Sequence, residues 1–297
     1  MPGICVIFNP TARGEKALRF RKHLTSLADQ CTLKPTHAAG AGRTLAGEAV
    51  REGFETIVAA GGDGTVNEVL NGICDEPEGP KRARFGVLPL GTINVFAKEL
   101  NLPSRIRDAW KTIQTGHETV IDVPFAEFVL DGLKQKRCFA QMAGAGLDSR
   151  AIDLVSWQQK KQIGGLAYAV AGFKALRGAM PQIVVTTGDQ TVTGELVLIG
   201  NGKFYGGRYK IFPLADLRDS LLEVSILPRA NLLGLLRGGW GVLTNRLYSS
   251  GGVRHFQARE ITLTSVERVP FHVEGDNAGI LPVKFAVQPR FLRVIVP

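Results

Sequence analysis

The sequence has few cysteines and no long hydrophobic run. Its four cysteines, in a chain of 297 residues, stand at positions 5, 31, 74 and 138, and their spacings are not those of a zinc site. The most apolar stretch, IGGLAYAVAGFKAL (163–176), is shorter than the about 18 residues expected of a membrane-spanning helix and contains a lysine. The N-terminus, MPGICVIFNP, lacks the basic start and the cleavage site of a signal peptide. These absences predict a cytoplasmic protein with reduced, partly buried thiols.

The charge is strongly positive, with a formal net charge of +9 and an isoelectric point near 9.6. Such a balance favours an anionic partner, which is a nucleic acid, a nucleotide or an acidic membrane surface. The sequence shows no basic helix, no interleaved aromatic residues and no known nucleic-acid-binding signature, so we expect no nucleic acid. A basic surface without a partner is the alternative, and charge alone does not decide between the two.

The first third of the chain alternates strand-like and helix-like segments. The strands are predicted at 3–8, 31–36, 56–60 and 85–90, and the helices at 14–29, 42–52 and 65–73. This order predicts a doubly wound parallel sheet with helices on its faces. In such sheets ligands bind where strands end and helices begin, which singles out the turns NPTARG, GGDGT and LPLGTIN.

The pattern changes near residue 123. Short strand-like runs separated by turn residues follow, interrupted by two helical stretches at about 149–178 and 230–248. Many short strands at this spacing predict a β-sandwich or a barrel. We therefore expect an α/β domain over 1–122 and a β-rich, sandwich-like domain over 123–290, with a last strand, 291–297, that returns to the first domain.

The turn GGDGT (61–65) places three glycines around one aspartate at the start of a helical pattern. Glycines let the backbone approach a ligand closely, and the exposed amides of a helix N-terminus bind phosphate. Asp63 would then bind ribose hydroxyls, turn amides or a metal ion rather than phosphate itself. The alternative is a tight strand-to-helix turn in which Asp63 is only the N-cap. The pattern is neither a Walker loop nor a Rossmann fingerprint.

Five motifs occur in order along almost the whole chain. They are FNPTARG (8–14), PTHAAGAGRTLAGEA (35–49), GGDGTVNEVLNGI (61–73), LPLGTINVFAKELNLP (88–103) and IGNGKFYGGRYKIFPLADLRDSLLEV (199–224). Together they resemble the diacylglycerol kinase catalytic family of bacterial lipid kinases, which is related to sphingosine and ceramide kinases. The GGDG element alone is also similar to that of NAD kinases and phosphofructokinases.

The resemblance implies an ATP site formed by the turns of the first domain. Its nucleotide-binding residues would be Asn9, Thr11, Thr36, Gly61, Gly62, Asp63, Gly64, Thr65, Val66, Asn67, Glu68, Gly91 and Thr92. Each of the three turns follows an expected strand of the parallel sheet, so the strand–helix order favours the same location. Arg13 and Lys16 are placed to meet phosphate charge, or are solvated side chains at the start of a helix.

The resemblance also implies a magnesium site and a catalytic carboxylate. The metal ligands would be Asp216, Asp219 and the backbone carbonyl of Leu221, because two carboxylates three residues apart can converge on one hard cation. A polar turn without a metal fits that spacing equally well. The family's proton acceptor is the glutamate of an Asp–Gly–Glu sequence, and Asp276 takes its position here.

Two departures from the family pattern concern this chemistry. The two acids are exchanged, since Glu274 stands where the family has the aspartate of Asp–Gly–Glu. Val95 stands where many members have an aspartate that belongs to the magnesium network. The loss of that aspartate either weakens the magnesium site or marks a subgroup that manages without it. Phosphoryl transfer depends mostly on positioning and charge neutralisation, so the exchange of the two acids need not abolish activity.

The sequence therefore predicts an ATP-dependent lipid kinase with Mg²⁺ as cofactor and diacylglycerol as the expected substrate. Residues 61–67 would hold the phosphates, and Asp276 would accept the proton of the lipid hydroxyl, with Glu274 and Asp63 as further catalytic residues. Two alternatives stay open. One is a kinase of a soluble substrate such as NAD, and the other is a catalytically impaired protein that binds lipid or nucleotide.

The charge distribution adds an expectation about location. Residues 203–259 contain nine Lys and Arg against three Asp and Glu, which predicts binding to an anionic surface at the inner face of the membrane. The apolar stretch 230–248 is either a helical lip for lipid or a core helix. The five histidines share no metal spacing and are expected at the surface or in the core. A homodimer is a further expectation.

Overall fold

The computed structural model describes residues 3–11, 17–18, 20, 29–149, 180–188, 190–207, 209–231 and 252–297, and the single positions 234, 237, 240, 241 and 244. Arg13, Lys16 and His23 lie outside these residues, as do nearly all of the helices expected at 14–29 and 149–178 and most of 230–248. The chain forms two compact units. The first is Met1–Val123 with Gly206–Arg208 and Gln288–Pro297, and the second is Pro124–Tyr205 with Tyr209–Val287.

The first unit is built on a parallel sheet. Strands β1 (Ile4–Phe8), β2 (Thr32–Pro35), β3 (Thr56–Gly61) and β4 (Arg84–Pro89) lie in the order β2-β1-β3-β4, and every neighbouring pair is parallel. The last strand of the chain, β18 (Val283–Val296), pairs in parallel with β4 through its C-terminal half. The predicted parallel sheet is confirmed.

Helices follow these strands. They are α1 (Ala41–Arg51), α2 (Asp63–Asp75), α3 (Gly79–Arg82), α4 (Val95–Glu99) and α5 (Ile106–Thr115). On one face of the sheet, the apolar side chains of β1, β3 and β4 pack against Ala109, Trp110 and Ile113 of α5. The alternation of strand side chains between the two faces makes this packing possible. The indole N–H of Trp110 donates to Gln30 Oε1 at 3.0 Å, so its polar atom is also satisfied.

The second unit is antiparallel. A hairpin of β5 (His117–Leu130) and β6 (Leu133–Cys138) opens it, although β5 begins in the first unit. One sheet has the strand order β14-β13-β10-β7-β16-β17. A second group of antiparallel strands has the order β18-β15-β8-β9 and includes the N-terminal half of β18. These strands are β7 (Met142–Gly146), β8 (Ile183–Thr187), β9 (Gln190–Gly194), β10 (Leu196–Gly200), β13 (Leu222–Leu227), β14 (Arg254–Ala258), β15 (Glu260–Thr264), β16 (Pro270–Val273) and β17 (Asp276–Ile280). The short strands β11 (Phe204–Tyr205) and β12 (Tyr209–Lys210) pair with each other.

Both groups of strands contribute to one apolar core, as expected of a sandwich. Val197 and Val224 come from the first sheet, and Leu263 from the other strands. The ring of Phe271 meets those of Phe128 and Phe285 edge to face, with centroids 5.0 and 6.1 Å apart. The sandwich-like second domain is therefore confirmed.

Some elements differ from their sequence-based expectations. Strand β17 was not expected, because its residues, DNAGI, include few of the apolar residues that mark a strand. Strand β9, QTVTG, is similarly polar and mostly exposed. The last strand, expected at 291–297, begins much earlier, at Val283, and forms the long strand β18, with Arg290 at a positive φ of 47°. Short polar strands are set by their partners rather than by their own composition.

The cysteines are free thiols, and Cys5 and Cys138 are buried. Burial raises the pKa of the Cys5 thiol to about 12 and that of Cys31 to about 11. Among the described residues, no helix has the length and apolar character needed to cross a bilayer.

The contact between α1 and α2 requires a glycine at position 72. A Cβ atom at Gly72 would lie 2.1 Å from the carbonyl oxygen of Arg43 and 2.7 Å from the Cβ of Ala46. We predict that Gly72→Ala forces the helices apart and lowers the free energy of unfolding by about 1–3 kcal/mol. Gly64→Ala is the matched control, because a Cβ at Gly64 meets no atom within 4 Å. Thermal unfolding of both variants measures the difference, and an unchanged Tm for Gly72→Ala would contradict the described packing.

Candidate active site

The first component of the site is the turn between β3 and α2. The helix begins at Asp63, two residues earlier than expected, with Gly62 as its N-cap residue in an extended conformation. The first amides of a helix have no carbonyl partner one turn earlier, and the helix dipole gives this end a positive potential. The turn therefore presents amide donors of the kind that bind a phosphate group.

The neighbouring turn, between β4 and α4, packs against the first at van der Waals distance. A Cβ atom at Gly91 would lie 2.5 Å from the Cα of Gly62, and one at Gly62 would lie 3.3 Å from the Cα of Gly91. The amides of Leu90 and Gly91 both donate to the carbonyl of Gly61, at 3.0 and 3.2 Å. A side chain at Gly91 would separate the two turns, whereas one at Gly62 would make only a tight contact.

Asp63 connects these two turns directly. Its Oδ1 accepts the backbone N–H of Val95 at 2.7 Å, which joins the first residue of α2 to the first residue of α4. Burial raises the pKa of Asp63, while the amides of Val95, Phe96 and Asn94 act in the opposite direction. The alternative in which Asp63 is only the N-cap is wrong, because Gly62 is the N-cap residue. At least one oxygen of the Asp63 carboxylate binds a turn amide.

Asn94 fixes the shape of the second turn. It is buried in the left-handed region, with φ at 53°. Its Oδ1 accepts the amide N–H of Gly91 at 2.9 Å, and its Nδ2 donates to the carbonyl of Gly91 at 2.7 Å. Asparagine adopts this conformation more readily than most residues. The side chain at position 95 is not required for the Asp63 bond, since Val95 contributes only its backbone N–H.

A third turn, which follows β1, carries Asn9 and Thr11. Asn9 Oδ1 accepts both the amide N–H and the hydroxyl of Thr11, at 2.9 and 2.8 Å. Thr36, after β2, is buried and donates its amide N–H to the carbonyl of Phe8 at 2.8 Å. Strands β1 and β2 are parallel neighbours, so these residues lie at the same edge of the sheet as the glycine turns.

These turns enclose a cavity of about 150 Å³ at the carboxyl ends of β1, β3 and β4. It is lined by six of the predicted nucleotide-binding residues and by four apolar residues that sequence reasoning missed. The lining is Asn9, Gly61, Gly62, Thr65, Gly91 and Thr92, with Ala17, Phe20, Ala60 and Leu90. The missed residues are apolar positions of the sheet core or of the segment after β1, which no motif distinguishes from ordinary core residues.

The other predicted nucleotide-binding residues do not line this cavity. Glu68 lies on α2 and accepts the amide N–H groups of Gly40 and Gly42 at 2.8 and 2.9 Å, so it holds the N-terminus of α1. Asn67 is buried and accepts a hydrogen bond from Asn71 at 2.5 Å. Gly64 is exposed and Val66 is buried. These contacts indicate that the motif also holds the helices in place.

A second cavity, of about 290 Å³, lies at the opposite end of α2. Cys74, Glu76, Pro80 and Phe291 are among its lining residues, and it contains none of the predicted site residues. Of these two cavities, only the smaller is lined by predicted nucleotide-binding residues, so it is the candidate nucleotide site.

In the second unit, the two exchanged acids lie on one hairpin. Glu274 and Gly275 form a two-residue turn between β16 and β17, with positive φ values of 56° and 79°. Glu274 Oε1 accepts the amide N–H groups of Ala140 and Gln141, at 2.6 and 2.8 Å. Asp276 is the exposed first residue of β17. One acid is thus fixed by backbone amides, and the other is open to solvent.

The predicted metal ligands Asp216 and Asp219 lie in one turn before β13. Asp216 Oδ1 accepts the amide N–H of Arg218 at 3.0 Å, and Asp219 Oδ1 accepts that of Leu221 at 2.9 Å. No cluster of three or more His, Cys, Asp or Glu side chains able to hold a metal occurs in the described part of the chain. A cation here would therefore need carbonyl or water oxygens besides carboxylates.

Glu223, which sequence reasoning missed, makes the turn more suitable for a cation. It is buried, and Oε2 accepts the amide N–H of Leu214 at 2.9 Å, while Oε1 has no hydrogen-bond partner among the described residues. Burial, with a smaller contribution from the charge of Asp219, raises the pKa of Glu223 to about 7, although the amides of Leu214 and Ala215 act in the opposite direction. The buried carboxyl group of Glu223 and the half-buried one of Asp219 repel each other, and such a pair fits a hard cation chemically.

A buried histidine–aspartate pair also lies in this unit. His272, which is fully buried on β16, has Nε2 2.8 Å from Asp148 Oδ2, and Tyr205 donates its hydroxyl to Asp148 Oδ1 at 2.8 Å. Although burial acts to raise it, the pKa of Asp148 is lowered by the charge of His272 and by both hydrogen bonds. His272 is thus a core histidine with a partner, one of the two environments expected for it.

Comparison with known proteins agrees with this architecture. Residues 3–126 match the model of the diacylglycerol kinase catalytic domain, and residues 141–296 match that of the YegS C-terminal NAD kinase beta sandwich-like domain. The chain is 30% identical to a diacylglycerol kinase of Staphylococcus carnosus, covering 98% of this chain and 94% of the relative. It is 28% identical to the diacylglycerol kinase of Bacillus subtilis, covering 98% and 95%.

Solved structures show the same fold. One crystal structure from Bacillus anthracis has a TM-score of 0.81 at 22% identity, covering all of this chain and 95% of the other. A second, described as a diacylglycerol kinase from the same organism, has a TM-score of 0.71 at 20% identity, covering 100% and 97%. Because the chain matches the Staphylococcus carnosus relative over nearly its whole length and matches the catalytic-domain model, it belongs to the diacylglycerol kinase family and is an ATP-dependent lipid kinase.

Proposed function

We propose that this kinase binds ATP at the glycine turns of its first unit and phosphorylates diacylglycerol, which yields phosphatidic acid. The observation that carries the proposal is the hydrogen bond from the Val95 amide to Asp63. It joins two strand-to-helix turns whose glycines, with Thr65 and Thr92, line a cavity that Asn9 of the turn after β1 also lines. Such a cavity suits phosphate groups, because backbone amides and a helix N-terminus are its donors.

The substrate assignment is supported by the relatives. Those that match nearly the whole chain are named diacylglycerol kinases. The model that matches the second unit is described as NAD kinase-like, so NAD⁺ is the competing acceptor. Assay with γ-labelled ATP against diacylglycerol, ceramide, sphingosine and NAD⁺ decides between them. Label transfer to NAD⁺ in preference to every lipid would contradict the proposal.

In the proposed reaction, the lipid hydroxyl oxygen attacks the γ-phosphorus, ADP leaves, and the hydroxyl proton passes to Asp276. The exposure of Asp276 leaves its carboxylate accessible to an acceptor hydroxyl. Glu274 serves as a positioning residue, since Ala140 and Gln141 hold its carboxylate and thereby fix the turn. The amides at the start of α2 hold the phosphates. Catalysis of phosphoryl transfer rests mainly on such positioning and charge neutralisation.

We propose Mg²⁺ as the cofactor. Asp216, Asp219 and the Leu221 carbonyl would bind it, and the free oxygen of Glu223 would reinforce the negative potential. Magnesium would contribute positive charge that compensates the carboxylates of Asp216 and Asp219 and the buried Glu223. Membrane attachment is part of the same proposal, because the basic residues of 203–259 favour an anionic surface.

The first prediction concerns Asp63. Asp63→Ala removes the acceptor for the Val95 amide, so the two turns separate, and we expect ATP affinity and turnover to fall by about tenfold or more. Asp63→Asn is the matched control, because its amide oxygen can still accept that hydrogen bond and should largely preserve ATP binding. Calorimetric titration with ATP and the Tm of each variant provide the measurement. If the folded Asp63→Ala variant shows normal turnover, this turn is not part of the active site.

The second prediction separates the two acids of the β16–β17 hairpin. Asp276→Asn keeps the size of the side chain but removes its basicity, so turnover should fall by a factor on the order of 10² to 10⁴ with ATP affinity little changed. Glu274→Gln keeps an oxygen that can accept the Ala140 and Gln141 amides and should retain most activity. Steady-state kinetics test both variants. If Glu274→Gln is inactive while Asp276→Asn has normal activity, the catalytic base is Glu274 and not Asp276.

The third prediction concerns the metal. Mg²⁺ should raise the Tm of the wild-type protein by a few degrees, because a ligand that binds only the folded state stabilises it. Asp219→Asn should abolish most of this increase. The matched control is Asp131→Asn, which changes a turn residue in the β5–β6 hairpin. An equal magnesium-dependent increase in all three proteins would rule out a site at Asp219.

A further inference from the structure

The tip of the β5–β6 hairpin exposes a cluster of large apolar side chains. Asp131 and Gly132 form its two-residue turn, with φ values of 51° and 77°. Leu130 and Leu133 face each other across this turn and are 45% and 66% exposed, and Val129 is 59% exposed. Exposed apolar residues are ordinary when they are scattered. Here three occur within five consecutive positions.

The hairpin that carries this tip is firmly packed at its base. Phe128, two residues before Leu130 and on the same face of β5, is buried and meets the ring of Phe271. A Cβ at Gly279 would lie 3.1 Å from the Phe128 ring, so the hairpin also contacts β17. The exposed leucines thus continue the apolar face of an anchored strand beyond the protein core.

Basic side chains border the apolar tip. Lys134 lies opposite Val129 in the strand register, and Lys136 lies opposite Glu127 with Nζ 4.0 Å from the centre of the Phe125 ring. Arg137 follows on the same strand. Glu127 and Asp131 partly offset these charges, but the cations remain in the majority. Long basic side chains can place their stems along apolar surface and their charges at lipid headgroups.

We propose that this tip, Val129–Lys134, inserts its leucines into the interfacial region of the bilayer while Lys134 and Lys136 contact anionic headgroups. The inference rests on the proposed function, since a kinase of a membrane lipid must reach its substrate at the bilayer surface. Leu130 and Leu133 lie on one face of the hairpin, and Lys134 and Lys136 lie on the other. An apolar face with basic residues on the opposite face is the pattern of interfacial membrane binding. The hairpin packs through Phe128 on Phe271 of β16 and beside Gly279 of β17, so membrane contact at the tip would hold the unit that carries Glu274 and Asp276 at the bilayer surface.

Sedimentation with vesicles of phosphatidylcholine and phosphatidylglycerol tests this role. Leu130→Ser/Leu133→Ser should weaken vesicle binding by roughly tenfold or more, because two apolar side chains no longer enter the bilayer. Val266→Ser is the matched control, since Val266 is fully exposed in the same unit and lies outside the hairpin. It should bind vesicles as the wild type does. Equal binding by the double variant and the wild type would overturn the inference.

Activity measurements separate this inference from the proposed function. With a short-chain, water-soluble diacylglycerol, the double variant should match the wild type, whereas with vesicle-embedded diacylglycerol its activity should fall with its binding. Wild-type protein inactive on both forms would refute the proposed function itself. Equal losses on both forms would show that the leucines maintain the active unit rather than contact membrane, and would overturn the inference.

A direct probe locates the tip in the bilayer. Leu133→Trp fluorescence should be quenched by brominated lipid more strongly than that of the wild type, and Val266→Trp should show no such increase.

Sedimentation velocity tests the alternative occupant, a second copy of the chain. A concentration-dependent dimer that the double serine variant abolishes, without quenching of Leu133→Trp, would assign the tip to a protein interface instead.

Discussion

The close approach of two glycine turns is the constraint on which the first unit depends. Gly62 and Gly91 touch backbone to backbone, and a side chain at Gly91 would push the turns apart. The Asp63 carboxylate then bridges the turns through the Val95 amide. Because both turns end strands of one parallel sheet, this contact places two helix starts beside one cavity. The aspartate in the glycine turn therefore has a structural task as well as a place in the proposed phosphate site.

The second unit uses backbone amides in a similar way. Glu274 is held by the amides of Ala140 and Gln141 from the segment before β7, while Asp276 begins the next strand with its side chain exposed. A turn with positive φ at Glu274 and Gly275 sets this difference between acids only two residues apart. In this arrangement the exchange of the family's two acids changes side-chain length at each position but keeps a carboxylate at both.

Much of the first unit could be predicted from sequence because its strands are short apolar runs and its turns contain glycine motifs. Gly61, Gly62, Thr65, Gly91 and Thr92 were expected at the site and do line one cavity. The partner of Asp63 could not be predicted, since the Val95 amide belongs to another turn and any residue except proline provides such a donor. From the sequence alone, position 95 indicates only that valine replaces an aspartate found in many members of the family.

Other parts were hidden for related reasons. Strand β17 is too polar to be recognised, and its pairing with β16 forms only after the Glu274–Gly275 turn brings the two together. Glu223 looked like an ordinary strand residue, and only burial beside Asp219 distinguishes it. Likewise, Phe20 and Leu90 carry no motif, so their place in the cavity wall depends on the tertiary fold.

The central claim is that the joined glycine turns bind the phosphates of ATP. Amide chemical shifts in a ¹⁵N-labelled protein, recorded as a non-hydrolysable ATP analogue and Mg²⁺ are added, test it most directly. The account predicts the largest changes at residues 61–66 and 91–95, with smaller changes around the 290 Å³ cavity at the far end of α2. Saturable nucleotide binding that leaves the amides of both glycine turns unchanged would contradict it.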